Sequence, residues 1–342
     1  MNKNHIIMKT LLNKSLGTII GIVAFAAFVL NPLCGHAQSL SAQLTDKDIF
    51  VSEFTGIQVS DDFEVTLARG PYGVRLTVDK DLAPYVDIYV KAKTLYLSYD
   101  EKAVPKEIKK LYKGKNGLTP VFRVVASTPE IQSISLSDNV TLNAMEEFLT
   151  SQFELKATGK SQVKNLSVNA TSGKISLKKN AVATMTLRTD RGVEAGTENN
   201  SNLKLYYTGN ELAINADGSS TIVADGGPSN SMNVFASGSS QVSVTSETVR
   251  VNLTVEGSSK VVLNGRAVEM TVKGSRSSTV DAFSMPVETV DANLSNSSNV
   301  TVNVSRKIFA NLIGGSSLYF SGTPEFQIEK IVKSTLAPYG TK

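Results

Sequence analysis

From residue 212 onward, apolar and polar positions alternate in short runs that are broken by small polar turns. INADGSSTIVA, VFASGSSQVSV, LTVEGSSKVVL, VKGSRSSTVDA, NLSNSSNVTV and LIGGSSLYFSG share one plan: a short run, a turn with paired serines, then another run. Alternation with period two, as in Val234 and Ala236 or Val242 and Val244, puts those side chains on one face of a strand. The pairs Ser219–Ser220, Ser239–Ser240, Ser258–Ser259, Ser277–Ser278, Ser297–Ser298 and Ser316–Ser317 follow one another at 20, 19, 19, 20 and 19 residues. Ile222, Val242, Val261, Val280, Val300 and Tyr319 hold the next apolar position at the same period. Gly and Asn suit such turns because they tolerate positive φ, and Ser bonds nearby backbone. A unit of about 20 residues is too short to bury a core alone, whereas stacked copies share one interior and hydrogen-bond rung to rung. Six rungs at about 4.8 Å each extend about 30 Å. The pattern predicts an all-β parallel β-solenoid, with rungs of about 19–20 residues in the C-terminal half.

Weaker copies precede these. KATGKSQVKNL at 156–166, NATSGKISLK at 169–178 and RTDRGVEAG at 188–196 keep the strand–turn–strand plan at uneven spacing, which predicts bulges or longer corners. Leu203 to Tyr207 reads as an extra strand. Residues 50–125 alternate through Ile57–Val59, Phe63–Val65–Leu67, Val74–Leu76–Val78, Ile88–Val90 and Leu95–Leu97, with larger side chains and fewer serines. The segment 101–117 interrupts them with Lys102, Lys106, Lys109, Lys110, Lys113 and Lys115 against Glu101 and Glu107, and reads as an exposed basic loop with one helical turn. After Pro324 the chain is expected to leave the repeat and cap the last rung, since an uncapped end presents unpaired strand edges.

The first residues change the accounting. Lys3, Lys9 and Lys14 flank an apolar run from Leu16 to Leu30, followed by Pro32 and small residues around Ala37. That order is a secretory signal, 1–37, cleaved after Ala37. A retained anchor is the rival, but about fifteen apolar residues fall short of the ~20 of a bilayer span. Lipidation of Cys34 is a second rival, disfavoured by Leu33 just before it. Cleavage removes Cys34, His5 and His36, the only cysteine and histidines, and the chain has no Trp. The full chain has 35 basic and 31 acidic residues; without the three lysines, 32 stand against 31. This balance offers no electrostatic reason to bind nucleic acid.

Without histidine there is no Ser–His–Asp triad, and without cysteine neither a thiolate nucleophile nor a Cys/His zinc site. No phosphate-binding loop motif occurs, and Asp is too rare in the turns for a calcium ladder. Carboxylate chemistry survives. Asp61, Asp62, Asp190, Arg191, Asp217 and Asp225 are candidates for a polysaccharide-cleaving site, which needs acids, or an acid with Lys or Arg, converging in one cleft. None recurs at the rung period, and turns routinely select Asp. The serine ladder and Tyr96, Tyr206, Tyr207 and Tyr319 could meet a sugar chain. The stronger reading of the serines is scaffold, because small polar residues stack at close rungs without steric or charge penalty, and of the tyrosines packing or isolated surface positions.

FTGIQVSDDFEVTLARG at 54–70 and VRLTVDKDLAPYVDIYVKAKTLYLS at 74–98, with the later Gly–Ser turns, resemble the head GIN domain family of putative auto-transporter adhesins. The resemblance spans roughly 50 to 320. It implies a right-handed parallel β-helix, export, and an adhesive role, and it brings no catalytic residues, cofactor or metal. The expected organisation is signal 1–37, linker 38–49, a head GIN-like part 50–210, regular repeats 211–323 and a cap or tail 324–342. The expected function is a secreted cell-envelope binding or structural module without catalysis, with a surface glycan or protein as partner and no membrane span once the signal is removed. The location would be the periplasm, the outer-membrane surface or the outside. The alternative is a lyase or glycosidase on the same scaffold.

Overall fold

The computed structural model describes residues 43–114 and 117–340. The signal segment, with Cys34 and both histidines, lies outside the described residues, as does Lys115.

The alternating runs form a parallel β-solenoid of about 10 turns. Each rung contributes a strand to one sheet, a four-residue turn, a strand to a second sheet, and a looser corner. In the first sheet Ser133–Leu136, Gln152–Ala157 and the later halves of Gln162–Leu177 and Val182–Thr197 pair in parallel, continued by Glu211–Ala216 and Ser229–Ala236. Ile134, Leu155, Ile175, Ala195, Ile214 and Val234 stack along one inward track of this sheet, all buried. The second sheet runs through Thr141–Ala144, Asn202–Thr208, Thr221–Gly226 and Lys260–Arg266. Asn202–Thr208 is thus an ordinary member of that sheet, and Leu203–Tyr207 is not an extra strand. The uneven spacing of the weaker copies appears as register shifts between Val163 and Leu166 and between Ala170 and Ser172.

The turns obey a conformational rule. In Asp217–Gly218–Ser219–Ser220 the glycine takes φ 75°, and Gly238 and Gly257 repeat it at 76° and 71°. A Cβ on Gly238 would stand 2.6 Å from the Gly218 carbonyl oxygen, so stacked turns leave no room for a side chain there. Several rungs without this glycine place two residues at positive φ, as with Asn199 and Asn200 or Asn296 and Ser297, and the turns at Asp61 and Asp138 place one; asparagine tolerates that region better than most residues. The second serine of each of the first five pairs points inward and is buried. Ser220 donates to the Asp217 carbonyl at 2.8 Å and Ser298 to that of Ser295 at 2.7 Å, while Ser240 reaches the Ala216 carbonyl at 3.1 Å. Burying a hydroxyl is costly unless it is bonded, and these are bonded.

The register corrects the last copy. Val300 stacks on Leu318, not Tyr319, and Ser316 takes the inner place under which Ser298 lies. The turn there is Ile313–Gly314–Gly315–Ser316, so Ser317 already belongs to the next strand and the step from Ser298 to Ser316 is one residue shorter than the sequence period suggested.

The N-terminal end is built differently. Gly56–Val59 lies between Thr94–Tyr99 and Ser133–Leu136, and Glu64–Arg69 between Phe122–Thr128 and Thr141–Ala144, so residues 94–128 form a rung outside the one that precedes them in sequence. Beyond it the pairing turns antiparallel. Gly73–Asp79 pairs with Phe122–Thr128, Leu44–Ile49 with Gly73–Asp79, and Val86–Lys91 with Thr94–Tyr99. Residues 44–49 are therefore a strand within the expected linker 38–49. Their charges hid them: Asp46 accepts from the Thr77 hydroxyl and Asp48 pairs with Arg75 at 2.7 Å on a sheet edge, where no apolar alternation is needed. Phe54, Phe63 and Phe122 fill the interior, with Phe63 and Phe122 ring centroids 5.4 Å apart.

In the rung 94–128 the four-residue turn is replaced by the basic excursion, which holds a 3-10 turn Glu101–Ala103 and the helix Lys106–Leu111. Asp100 caps it, accepting from the Lys102 and Ala103 N–H groups, and buried Val104 with partly buried Ile108 and Tyr112 anchors it to the core. Asp79 is buried beside it and accepts from the Val121 N–H at 2.9 Å. Burial raises the Asp79 carboxyl, and burial, with the nearby Asp79 charge, pushes Tyr112 up to about 12.

Residues after Pro324 do not leave the repeat. Glu325–Val332 pairs in parallel with Lys307–Ile313, and Thr335–Pro338 with Ser317–Phe320, adding one more rung. Among the described residues no helix is long and apolar enough to cross a membrane.

Candidate binding surface

On the outward side of the first sheet, parallel register turns distant residues into columns. One column runs Gln152, Ser172, Gly192, Glu211, Ser231, Arg250; its neighbour runs Glu154, Lys174, Glu194, Ala213, Asn233, Asn252. Where Ser172 and Gly192 follow Gln152, side chains almost vanish from the first column, and an open trough of about 1030 Å³ forms. It reaches from Gln132 to Asn230 and is bordered on its corner side by Arg191 and Asn210. Two smaller hollows of about 320 Å³ each share residues with it. One shares Asn210 and Asn230; the other shares Glu194 and Ala213 and brings in Asn233, Asn252 and half-exposed Phe235.

Three of the charged residues lining the trough, Glu154, Lys174 and Glu194, are paired. Lys174 Nζ lies 2.7 Å from Glu194, whose hydrogen bond and charge raise the Lys174 pKa above its ordinary value. Lys156 and Glu154 are also 2.7 Å apart. Asn252 donates to the Asn233 side-chain oxygen at 2.9 Å, a rung-to-rung amide contact. The lining thus sets amides, hydroxyls and charged groups among carbon surface, with the Phe235 ring in the adjoining hollow.

The candidate acids are scattered. Asp61, at φ 71°, accepts from the Ser60 hydroxyl at 2.9 Å and the Tyr99 N–H at 3.0 Å, and Asp62 accepts from Asn139 at 2.9 Å; both are turn residues. Asp217 opens another serine turn and accepts from Ser237. Asp190 sits at a corner where its carbonyl accepts from Asn210 at 3.0 Å, and Asp225 lies on the second sheet beside Tyr206. Only Arg191 borders the trough. Among the described residues no three His, Cys, Asp or Glu side chains gather as a metal cage would require.

Inner serines are structural and outer serines such as Ser219 and Ser239 are exposed. Tyr207 is buried, Tyr206 lies under the Lys204 ammonium, and Tyr96 stacks on Tyr89 with centroids 5.0 Å apart. The trough itself escaped the sequence reading. Its traceable signal is asparagine at the repeat period outside the turns, Asn210 with Asn230 and Asn233 with Asn252.

The family model described as "Putative auto-transporter adhesin, head GIN domain" matches residues 53–189 and again 182–324. Among solved structures, a putative adhesin from Parabacteroides merdae is 14% identical, with 86% of this chain and 96% of that chain covered and a TM-score of 0.39. A putative lipid binding protein from Parabacteroides distasonis is 13% identical, at the same coverage of 86% and 96%, with a TM-score of 0.34. A putative cell adhesion protein from Clostridium sporogenes is 10% identical, covering 68% of this chain and 100% of that chain, with a TM-score of 0.20. A search of the curated proteins gives no match.

Proposed function

The chain belongs to the head GIN domain family of putative auto-transporter adhesins, and we propose on that premise that it is an exported, non-catalytic binding module at the cell envelope whose trough receives an extended polysaccharide. The observation that carries this reading is the trough's run across successive rungs, from Gln132 to Asn230, with a lining that includes amides, hydroxyls and the paired Lys174 and Glu194. A sugar chain presents hydroxyls at repeated intervals, and amide side chains both donate to and accept from them. The parallel ladder supplies such groups about every 4.8 Å. Small residues on the floor leave space for the chain, and Phe235 offers a ring on which a sugar face can stack.

Calorimetry with soluble neutral and acidic polysaccharides, using fragments of increasing length, tests it. The expected result is affinity that rises with length and then levels off once the trough is filled, and that falls about fivefold in Asn210→Ala or Asn230→Ala, as for one lost hydrogen bond. Ser172→Trp, which fills the floor, should abolish binding while leaving the circular dichroism spectrum and melting unchanged. Binding that survives Ser172→Trp would remove the trough from the account.

One feature favours the enzymatic reading: Lys174, Glu194 and Arg191 line one trough. Their state speaks against it. A lysine acting as general base needs a lowered pKa, and Lys174 is raised by its carboxylate partner. New reducing ends or unsaturated uronates appearing on incubation with a polysaccharide panel, and lost in Lys174→Ala, would establish the enzyme instead.

A further inference from the structure

The two ends of the solenoid are finished unequally. At the N-terminal end the antiparallel strands Leu44–Ile49 and Val86–Lys91 lie over the outermost rung, and the core beneath is covered. At the other end Glu325–Val332 and Thr335–Pro338 each pair on one side, and no described strand pairs with their outer edges. Phe326, Ile328 and Ile331 continue the inward track of Ile308, Ala310 and Leu312. The inner three are at most 2% exposed, whereas Phe326, Ile328 and Ile331 are exposed by 44%, 53% and 38%. The interior is open at this end. Exposed apolar patches of this kind mark interaction sites.

We propose that this end binds a second copy of the same chain, tail to tail, through antiparallel pairing of Glu325–Val332 about a two-fold axis. The strand is self-complementary in a way that depends on its bulge. Ile328 pairs with Ala310 but Lys330 with Asn311, so Glu329 is an extra residue. An antiparallel copy centred between Ile328 and Glu329 sets Phe326 opposite Ile331, Gln327 opposite Lys330 and Glu325 opposite Val332. Residues directly opposite in an antiparallel pair point to the same face. In a regular strand this centring would set inward against outward positions. The bulge removes the conflict on either side of the axis: Phe326 and Ile331 both point inward, Gln327 with Lys330 and Glu325 with Val332 point outward, and only the central Ile328 and Glu329, which face opposite ways, meet at the bulge itself.

Charge agrees with this register. Lys330 falls opposite Gln327 and diagonal to Glu325 on the same outward face, a separation that long side chains span. The two-fold axis repeats the contact, giving two Lys330–Glu325 pairs. Phe326 and Ile331 of both copies then close over the open interior, so one core continues into the next. The contact is isologous, so it closes at two chains and does not propagate into fibres.

Sedimentation and light scattering of the protein recovered after export test the proposal. The expected mass is that of two chains, falling to one on dilution. Ile328→Glu should give monomer throughout the range, with unchanged circular dichroism because the site is half exposed. Lys330→Glu, which sets like charges together twice, should weaken the dimer about tenfold, and Glu325→Lys combined with Lys330→Glu should restore it to within about threefold. A wild-type monomer at every concentration, open-ended polymers, a dimer that persists in Ile328→Glu, or a double variant no better than Lys330→Glu would each overturn it. Each leaves the trough reading untouched, since the trough lies on other rungs.

Discussion

At the end formed by residues 43–128 the core is packed by Phe54, Phe63 and Phe122, while between 212 and 312 one inward track carries Ile214, Val234, Leu253, Val272 and Ala292. The first region mixes parallel and antiparallel strands and relies on rings that interlock once, such as Phe63 with Phe122. The second repeats one rung and relies on stacked aliphatic chains and stacked inner serines. Repetition spreads stability along neighbouring interfaces, whereas a unique end concentrates it in a few large side chains. The difference teaches where the molecule is vulnerable: an end can fail at one residue, and the middle mainly where backbone touches backbone.

The comparison can be broken most severely at the aromatic end. Phe63→Ala should cost about 3–5 kcal/mol, read from denaturant unfolding, because a fully buried ring leaves a cavity that neighbouring strands cannot fill. A cost near that of a surface substitution would mean the end is not a packed unit. In the regular region the next largest effect falls on Gly265→Ala. Its φ is 116° and the new Cβ would stand 2.0 Å from the Ser246 carbonyl oxygen, so the rung must shift; a loss of at least about 2 kcal/mol is expected in the same measurement.

A smaller contrast separates the two serines of one turn. Ser240→Ala removes a buried hydroxyl bonded to the Ala216 carbonyl and to Ser259, and should cost about 1–2 kcal/mol. Its exposed neighbour in Ser239→Ala should change stability by less than about 0.5 kcal/mol. Equal costs would show that the inner ladder contributes nothing beyond turn geometry. The smallest effect is a pH dependence at the aromatic end. Burial raises the Asp79 pKa in the folded chain, so the folded state holds that proton more tightly than the unfolded one. Stability should therefore fall as pH rises from the ordinary carboxylate value through the raised one, and the penalty should persist above it. Melting temperatures of Asp79→Asn across mildly acidic to neutral pH should lack this decline.

Much of this contrast was written in the chain itself. Period-two alternation fixes which side chains face inward, and that holds for Val234 and Ala236 as for Val65 and Leu67. The 19–20-residue spacing of Gly, Asn and Ser fixes where the backbone turns, since few other residues accept positive φ there. Both are local properties, so local sequence suffices. The inner place of the second serine was not legible in the same way, because its hydroxyl is satisfied by a carbonyl three residues earlier or one rung below, and only the fold brings the latter near.

The remaining features depend on which strand lies beside which. Polar Leu44–Ile49 became a strand because Gly73–Asp79 offered an edge, and residues 325–338 became a rung because 307–320 did. A single residue fewer at Gly314–Gly315 moved Leu318 instead of Tyr319 into the stack. The trough exists because register sets Ser172 and Gly192 after Gln152 and beside Lys174 and Glu194. A strand's own sequence determines its two faces. Its neighbours, and hence every surface made from several rungs, are chosen by hydrogen bonds between segments about twenty or more residues apart, and those only the tertiary structure decides.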